Sequence, residues 1–414
     1  MRAGVAGVAD GRLVVAAKVR YRLTPWWVKV VVVFVVSRIV TTSLLLAFAA
    51  RQAANAWTGA APGYFDFASI WDGHWYYIIS MVGYPTQLPM TADGHVGESA
   101  WAFMPAYPSV VRLVMLVTTL DFPVAAVVVS FAFALGTALM FYRLMHRVLP
   151  GGTALFAVVL FCFAPLSPIL QVSYAESMHA FLLALALYLL MSRRYALLVP
   201  VVAVMSLTRP SGLAFALAMA MHVGWRWWRA RRGAEEFPVR ERLASAGVTL
   251  FSALMGVAWI LIAWALTGSP TAYTDTELAW RSAYVGYQQL LPFTPWLQAA
   301  GFWGPWWGIP IPLLIGLLAV VVAGFFALLF TPAVKRLGPD LRFWIASYAL
   351  YLLAVFFPQS STFRLLVPEF PLLGALAQPR AWWYRIGIVL LCIAGQWGWI
   401  HIAWAVDGYD WTPP

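Results

Sequence analysis

The residues that could do chemistry are few and aromatic-flanked. Asp72 lies within Trp71-Asp72-Gly73-His74-Trp75-Tyr76, downstream of a second carboxylate, Asp66. A carboxylate set among indole and phenol rings loses hydration, which raises its basicity and fits it to accept a proton from a hydroxyl. Asp72 is therefore the candidate catalytic base, with Asp66, Trp71, His74 and Tyr76 as candidate substrate-binding residues. The plainer reading has Asp72 capping a helix that begins at Gly73, with the tryptophans anchored at lipid headgroups. No second His stands at ligand spacing from His74, so His74 is read as a packing or hydrogen-bonding residue and no metal site is expected.

Further along, Ser167-Pro168 precedes Ser173-Tyr174-Ala175-Glu176-Ser177. Glu176 opens a helix, where a carboxylate meets the positive end of the dipole. Alternatively Glu176 faces a cavity, binding sugar hydroxyls or orienting the base, and Tyr174 joins it in the candidate substrate-binding set. Arg209, in Thr208-Arg209-Pro210-Ser211-Gly212, and Arg364, in Ser360-Ser361-Thr362-Phe363-Arg364, each follow hydroxyl side chains. The planar guanidinium fork matches phosphate oxygens, so both are candidates for binding a lipid phosphate. The alternative is an ion pair with a nearby carboxylate such as Glu369. A later stretch, with Tyr273, Asp275, Glu277, Trp280, Arg281 and Tyr284, mixes rings and carboxylates as either a carbohydrate site or an interfacial helix would.

The elements that must position these residues are membrane helices. The chain is 62% hydrophobic and 10% charged over 414 residues, with a mean hydropathy of +0.78, outside the range of soluble domains. Apolar stretches of about 17 to 25 residues recur, each long enough to cross a hydrocarbon core of about 30 Å as a helix. Only helices satisfy their own backbone there without closing a barrel, so an all-α polytopic bundle is predicted. The formal charge of +11 sits mostly in clusters flanking apolar segments, which fits positive-inside topology and not nucleic-acid binding. Trp26, Trp27, Trp227, Trp228, Trp382 and Trp383 stand near span ends, where an aromatic belt forms. Cys162 and Cys392 both lie in apolar runs, so neither a disulfide framework nor a thiolate metal site is expected.

Assigning the cationic clusters to the cytoplasm threads about eleven spans: 28–50, 123–145, 153–170, 175–192, 195–208, 211–225, 244–267, 308–330, 341–357, 366–378 and 384–404. Residues 1–27 are then a cytoplasmic segment and 28–404 a single transmembrane domain. The first span is retained, since no small-residue cleavage site follows it. Two long outer loops, 51–122 and 268–307, and an outer tail, 405–414, complete the layout. Loops of such length are usually functional. Segment 105–120 is apolar but would invert the topology if it spanned, so it is read as a juxtamembrane or re-entrant helix. Asp72, Glu176, Arg209 and Arg364 then all fall on the outer side.

The ordered fragments Trp71-Asp72, Gly83-Tyr84, Ala102 to Pro108, Ser167-Pro168 with Tyr174, Glu176 and Ser177, and Arg209 with Gly212 resemble the PIG-V mannosyltransferase family. The resemblance covers roughly the first half of the chain. It implies a GT-C fold, a polyprenyl-phosphate-linked sugar donor reaching the site laterally from the lipid bilayer, and a glycolipid or glycan acceptor. It also implies an acidic residue from the first outer loop, matching Asp72. The chain departs from the family at Pro210-Ser211, where eukaryotic members favour Ser-Asn, and a later Trp-Asn-containing loop is not clearly present. No cofactor is expected, because a phosphate monoester leaving group needs only about one extra cation. Composition points to a bacterial source and so to the periplasmic or extracellular face of a plasma membrane. The rival readings are a lipid or glycan transporter and an inactive scaffold subunit. The middle of nearly every span is free of charge, which counts against transport.

Overall fold

The computed structural model describes residues 22–289 and 291–406. Residues 1–21 and 407–414, most of the expected cytoplasmic segment and outer tail, lie outside the described residues. The architecture is all-α. In chain order the longer helices are α1 (Trp26–Ala49), α2 (Asp72–Val82), α3 (Ala106–Thr118), α4 (Phe122–His146), α5 (Gly151–Phe163), α6 (Glu176–Met191) and α7 (Tyr195–Ser206). They continue with α8 (Gly212–Arg231), α9 (Val239–Thr267), α10 (Ala272–Val285), α11 (Pro295–Trp307), α12 (Ile311–Leu328), α13 (Pro339–Val355) and α14 (Trp382–Trp399).

Five of these are long and apolar enough to cross a bilayer by length and composition: α1, α4, α9, α12, and α14 with its continuation to Trp404. The helix α3 has 13 residues, and at 1.5 Å per residue it reaches about 20 Å, short of a hydrocarbon core. Two expected spans change character. Segment 153–170 is α-helical only to Phe163 and runs into the 3-10 helix Ser167–Gln171, and segment 366–378 overlaps the 3-10 helix Arg364–Leu372, followed by a single α-turn at Leu373–Leu376. Pro368 and Pro371 lie inside the Arg364–Leu372 helix, and each removes a backbone donor that an α-helix would need.

Individual sequence signals set the helix ends. Pro123 sits in the first turn of α4, where its missing N–H costs nothing, and Arg143 and His146 occupy its last turn, facing the negative end of the dipole. Arg38, buried in the middle of α1, is satisfied by carbonyls left free where α5 ends: its Nη2 donates to Cys162 O at 2.6 Å and its Nη1 to Ser167 O at 3.0 Å. Gln396 of α14 stitches the same region, accepting from Thr41 Oγ1 at 2.8 Å and donating to Phe163 O at 2.9 Å. Buried polar groups in an apolar bundle must find such partners.

The tightest crossing joins α8 and α9. A Cβ on Gly212 would come within 2.6 Å of Gly256 N, and one on Gly256 within 2.7 Å of Leu213 N. Backbone cannot yield as a side-chain tip can, so both positions require glycine for the helices to touch.

The polar residues divide between the two ends of the bundle. At the end where α4, α6 and α8 terminate, Arg147 contacts Ser192, and Glu235 binds Arg193 and Arg226. The start of α6 and the loop between α7 and α8 lie at the other end, with Glu176 and Arg209.

Candidate active site

Asp72 is the first residue of α2, not the cap before it; Trp71 holds the cap position, with φ of 59° and ψ of −125°. A tryptophan with positive φ is held there only when its surroundings over-determine it. Trp71 is 3% exposed, its indole Nε1 donates to Trp404 O at 3.0 Å, and the Asp72 backbone N–H donates to Tyr174 Oη at 3.0 Å. Both ends of the turn are thus pinned by distant chain segments, which fixes where the Asp72 side chain points.

Glu176 opens α6, as the sequence reading expects. Arg209 lies in the short loop between α7 and α8, and Arg364 starts the 3-10 helix. These four side chains, widely separated in sequence, converge. Arg364 Nη1 binds Asp72 Oδ2, and Arg209 Nη2 binds Glu176 Oε1. The cross contacts are also short, with Arg209 to Asp72 Oδ2 at 3.8 Å and Arg364 to Glu176 Oε1 at 3.9 Å. The side chains are 5 to 17% exposed. Asp72 is therefore not a carboxylate isolated among rings, as its sequence neighbours suggest. It belongs to a charge-balanced quartet of two carboxylates and two guanidinium groups. The arginines pair with Asp72 and Glu176, not with Glu369.

Burial works against the charge on Arg209, but Glu176, then Tyr76 and Asp72, raise its pKa above the ordinary arginine value. Burial likewise opposes Arg364, and Asp72 more than offsets it. Both cations are fixed charges. Each nevertheless keeps a buried donor idle, because Arg209 Nε and Arg364 Nε have no hydrogen-bond partner among the described residues, nor has Glu176 Oε2. Unmet buried donors on two adjacent cations are a preformed demand for anionic oxygen. On Asp72 both arginine contacts fall on Oδ2, so Oδ1 takes part in neither.

The quartet lines a cavity of about 630 Å³, within the usual range for small-ligand sites of about 300–1,000 Å³. Opposite elements contribute Glu277, Trp280 and Arg281 from α10 and Tyr351 from α13. Arg281 lies 3.6 Å from Glu277 one turn before it. Burial raises the Glu277 pKa, which Arg281 and Tyr273 partly counter.

Tyr174 is fully buried, bonds Asp72 and carries the Arg364 guanidinium 5.5 Å over its ring. Tyr76 is fully buried behind the quartet, its hydroxyl without a partner among the described residues and its pKa driven up by burial. Trp71 supports the turn. Asp66 and His74 stand outside the cavity: Asp66 is exposed on a one-turn helix, and His74 is exposed with its ring 5.7 Å from Trp57. The sequence reading passed over His179, which lines the cavity and bonds Ser211 Oγ at 2.9 Å. Its spacing was a usable signal, since residues three apart share a helix face with Glu176.

No protein-family model matches the chain, and no curated protein matches it. Among solved structures, it is similar to an oligosaccharyltransferase from Archaeoglobus fulgidus, crystallised tethered to an acceptor peptide containing the NVT sequon. The identity is 12% and the TM-score 0.42, covering 89% of this chain and 53% of that one. The chain thus spans about half the length of that structure.

Proposed function

We propose that this protein is a membrane glycosyltransferase that moves a sugar, mannose on the resemblance above, from a polyprenyl phosphate to a hydroxyl of a glycolipid or glycan. The observation that carries this reading is the pair of buried guanidinium groups with unmet Nε–H donors beside two carboxylates. That combination suits a phosphate leaving group next to a group that accepts a proton.

In this scheme the donor phosphate docks against Arg209 and Arg364, whose donors are already oriented and need no reorganisation when charge develops. Asp72 takes the proton of the acceptor hydroxyl as that oxygen attacks the anomeric carbon. The bond from the anomeric carbon to the phosphate oxygen breaks, and its electron pair leaves on the lipid phosphate. A single in-line displacement inverts the anomeric centre. Glu176 keeps Arg209 aimed, Tyr174 keeps Asp72 aimed, and Trp280 and Glu277 face the sugar. The site opens on the extracytoplasmic side of a plasma membrane, with loops 51–122 and 268–307 outside.

The test incubates membranes with labelled polyprenyl-phosphate-mannose and compares wild type with Asp72→Asn and Arg209→Ala. Transfer should fall by about 10²- to 10⁴-fold in Asp72→Asn. Equal transfer by wild type and Asp72→Asn removes Asp72 as the base, and no transfer from any lipid-linked sugar tried removes the whole reading.

A further inference from the structure

A second cavity, of about 920 Å³, lies across the Arg364–Leu372 helix from the site just described. Phe363 lines this cavity and Arg364 the other, while Val367 lines both, so the 3-10 helix is the partition. Its wall is mostly hydrocarbon and ring, with Phe302, Trp303, Trp306 and Trp307 of α11 facing Trp399 and Ile402, and Tyr284 and Ser360 also line it. Trp306 and Trp307 are 72% and 57% exposed, so the cavity opens sideways on its α11 edge.

Set into that wall is an anomaly. Glu369 is 7% exposed and lines the cavity, yet neither carboxyl oxygen has a hydrogen-bond partner among the described residues. It makes no ion pair among them. Ser167 Oγ lines the same cavity, 1% exposed, and is also unpartnered there. Buried polar atoms are almost always satisfied, and leaving one unmet costs about 1–3 kcal/mol. Three unmet oxygens in one apolar cavity therefore call for a ligand.

Their chemistry selects its class. A carboxyl walled by hydrocarbon with no cation at hand is held as the neutral acid, because an isolated charge there is far costlier. The neutral acid has one O–H donor and one carbonyl acceptor. A hydroxyl complements both at once. A phosphate or carboxylate would bring an unpaired charge into the wall, and a plain hydrocarbon would leave the oxygens unmet.

We infer that this cavity binds an alcohol-headed amphiphile, its hydroxyl held by Glu369 and its chain lying along the α11 aromatic wall. This site is independent of the transfer reaction, so its test reads binding and no turnover.

Purified protein in phosphatidylcholine vesicles is photolabelled with diazirine derivatives of hexadecanol, hexadecylamine and hexadecane. The alcohol should label residues of the α11 wall or the 363–373 segment and be displaced by unlabelled hexadecanol but not by hexadecane. Glu369→Leu should weaken alcohol labelling about tenfold, the loss of one buried hydrogen-bonded contact, whereas Glu369→Gln, which still donates and accepts, should retain most of it. Because leucine is apolar and the native carboxyl is unpartnered, Glu369→Leu should fold at least as well as wild type, which thermal unfolding checks. Equal labelling by alcohol and alkane, or alcohol labelling unchanged by Glu369→Leu, overturns the inference. So does preferential labelling by the amine that Glu369→Leu abolishes, which would mean a charged carboxylate and a cationic ligand.

Discussion

The quartet predicts a specific failure of additivity. Each guanidinium has a primary carboxylate and a second one close behind, at 3.8 Å for Arg209 and 3.9 Å for Arg364. At an effective dielectric of about 20, an interaction across about 4 Å is on the order of 4 kcal/mol. In Asp72→Asn, Arg364 therefore falls back on Glu176, and in Glu176→Gln, Arg209 falls back on Asp72. Each single change should cost about 2 kcal/mol, below the 3–5 kcal/mol of a buried charge left wholly uncompensated. The double variant leaves both cations without an anion, beside one another, and the full penalty then applies at each. Its destabilisation should exceed the sum of the singles by at least about 2 kcal/mol, a coupling well inside the range for residues sharing a network. The assay is reversible denaturant unfolding of purified protein in mixed micelles, for wild type, both singles and the double. Adding Arg209→Gln and Arg364→Gln to the double should restore stability, since the buried charge is then gone. Additivity within about 0.5 kcal/mol, or no recovery in the fourfold variant, refutes the claim that these groups act as one charge-balanced unit.

Gly256→Ala should destabilise the protein by about 1–3 kcal/mol through overpacking at the α8–α9 crossing and should raise the apparent KM for donor, since the crossing follows directly on the Arg209 loop; a thermal melt and a donor titration check both. Tyr174→Phe removes one hydrogen bond to the Asp72 backbone, so stability should fall by about 1 kcal/mol, with transfer falling more than stability accounts for. Glu277 has a folded pKa raised by burial, so the folded state binds its proton more tightly and wild-type stability should fall as pH rises from the ordinary carboxylate range up to the folded pKa, then level off. Glu277→Gln should lack that fall, as Tm against pH for the two proteins would show. On the proposed topology, a cysteine at the exposed turn residue Asp93, in a Cys392→Ser background, should react in intact cells with a membrane-impermeant thiol reagent. Labelling seen only after lysis would invert the sidedness.

The sequence by itself determined the class of fold and the positions of the long apolar helices, but it read 268–307 as a loop where the structure has the helices α10 and α11. Runs such as Val28 to Leu46 and Ile311 to Leu328 can be stable only as helices in an apolar solvent, because their backbone groups have no other partner there. It also singled out Asp72, Glu176, Arg209 and Arg364, since a charge in an apolar chain must have a reason to be there. Gly212 was visible as a motif residue, though its reason, a helix crossing on Gly256, was not. The 3-10 character of segment 364–372 was written in Pro368 and Pro371, yet hydropathy alone read it as part of a span.

Only the tertiary structure decided who pairs with whom. Asp72 and Arg364 are 292 residues apart, and periodicity carries no information about contacts at that range. The flanking rings suggested an isolated, desolvated Asp72. Folding instead brought cations from two distant segments against it, because burying a lone carboxylate costs more than burying a balanced quartet. The fold also separates Glu369 from Arg364 despite their closeness in sequence. The 3-10 helix turns Arg364 toward the charged cavity, where it pairs with Asp72, and Glu369 toward the apolar one, where its carboxyl has no partner among the described residues.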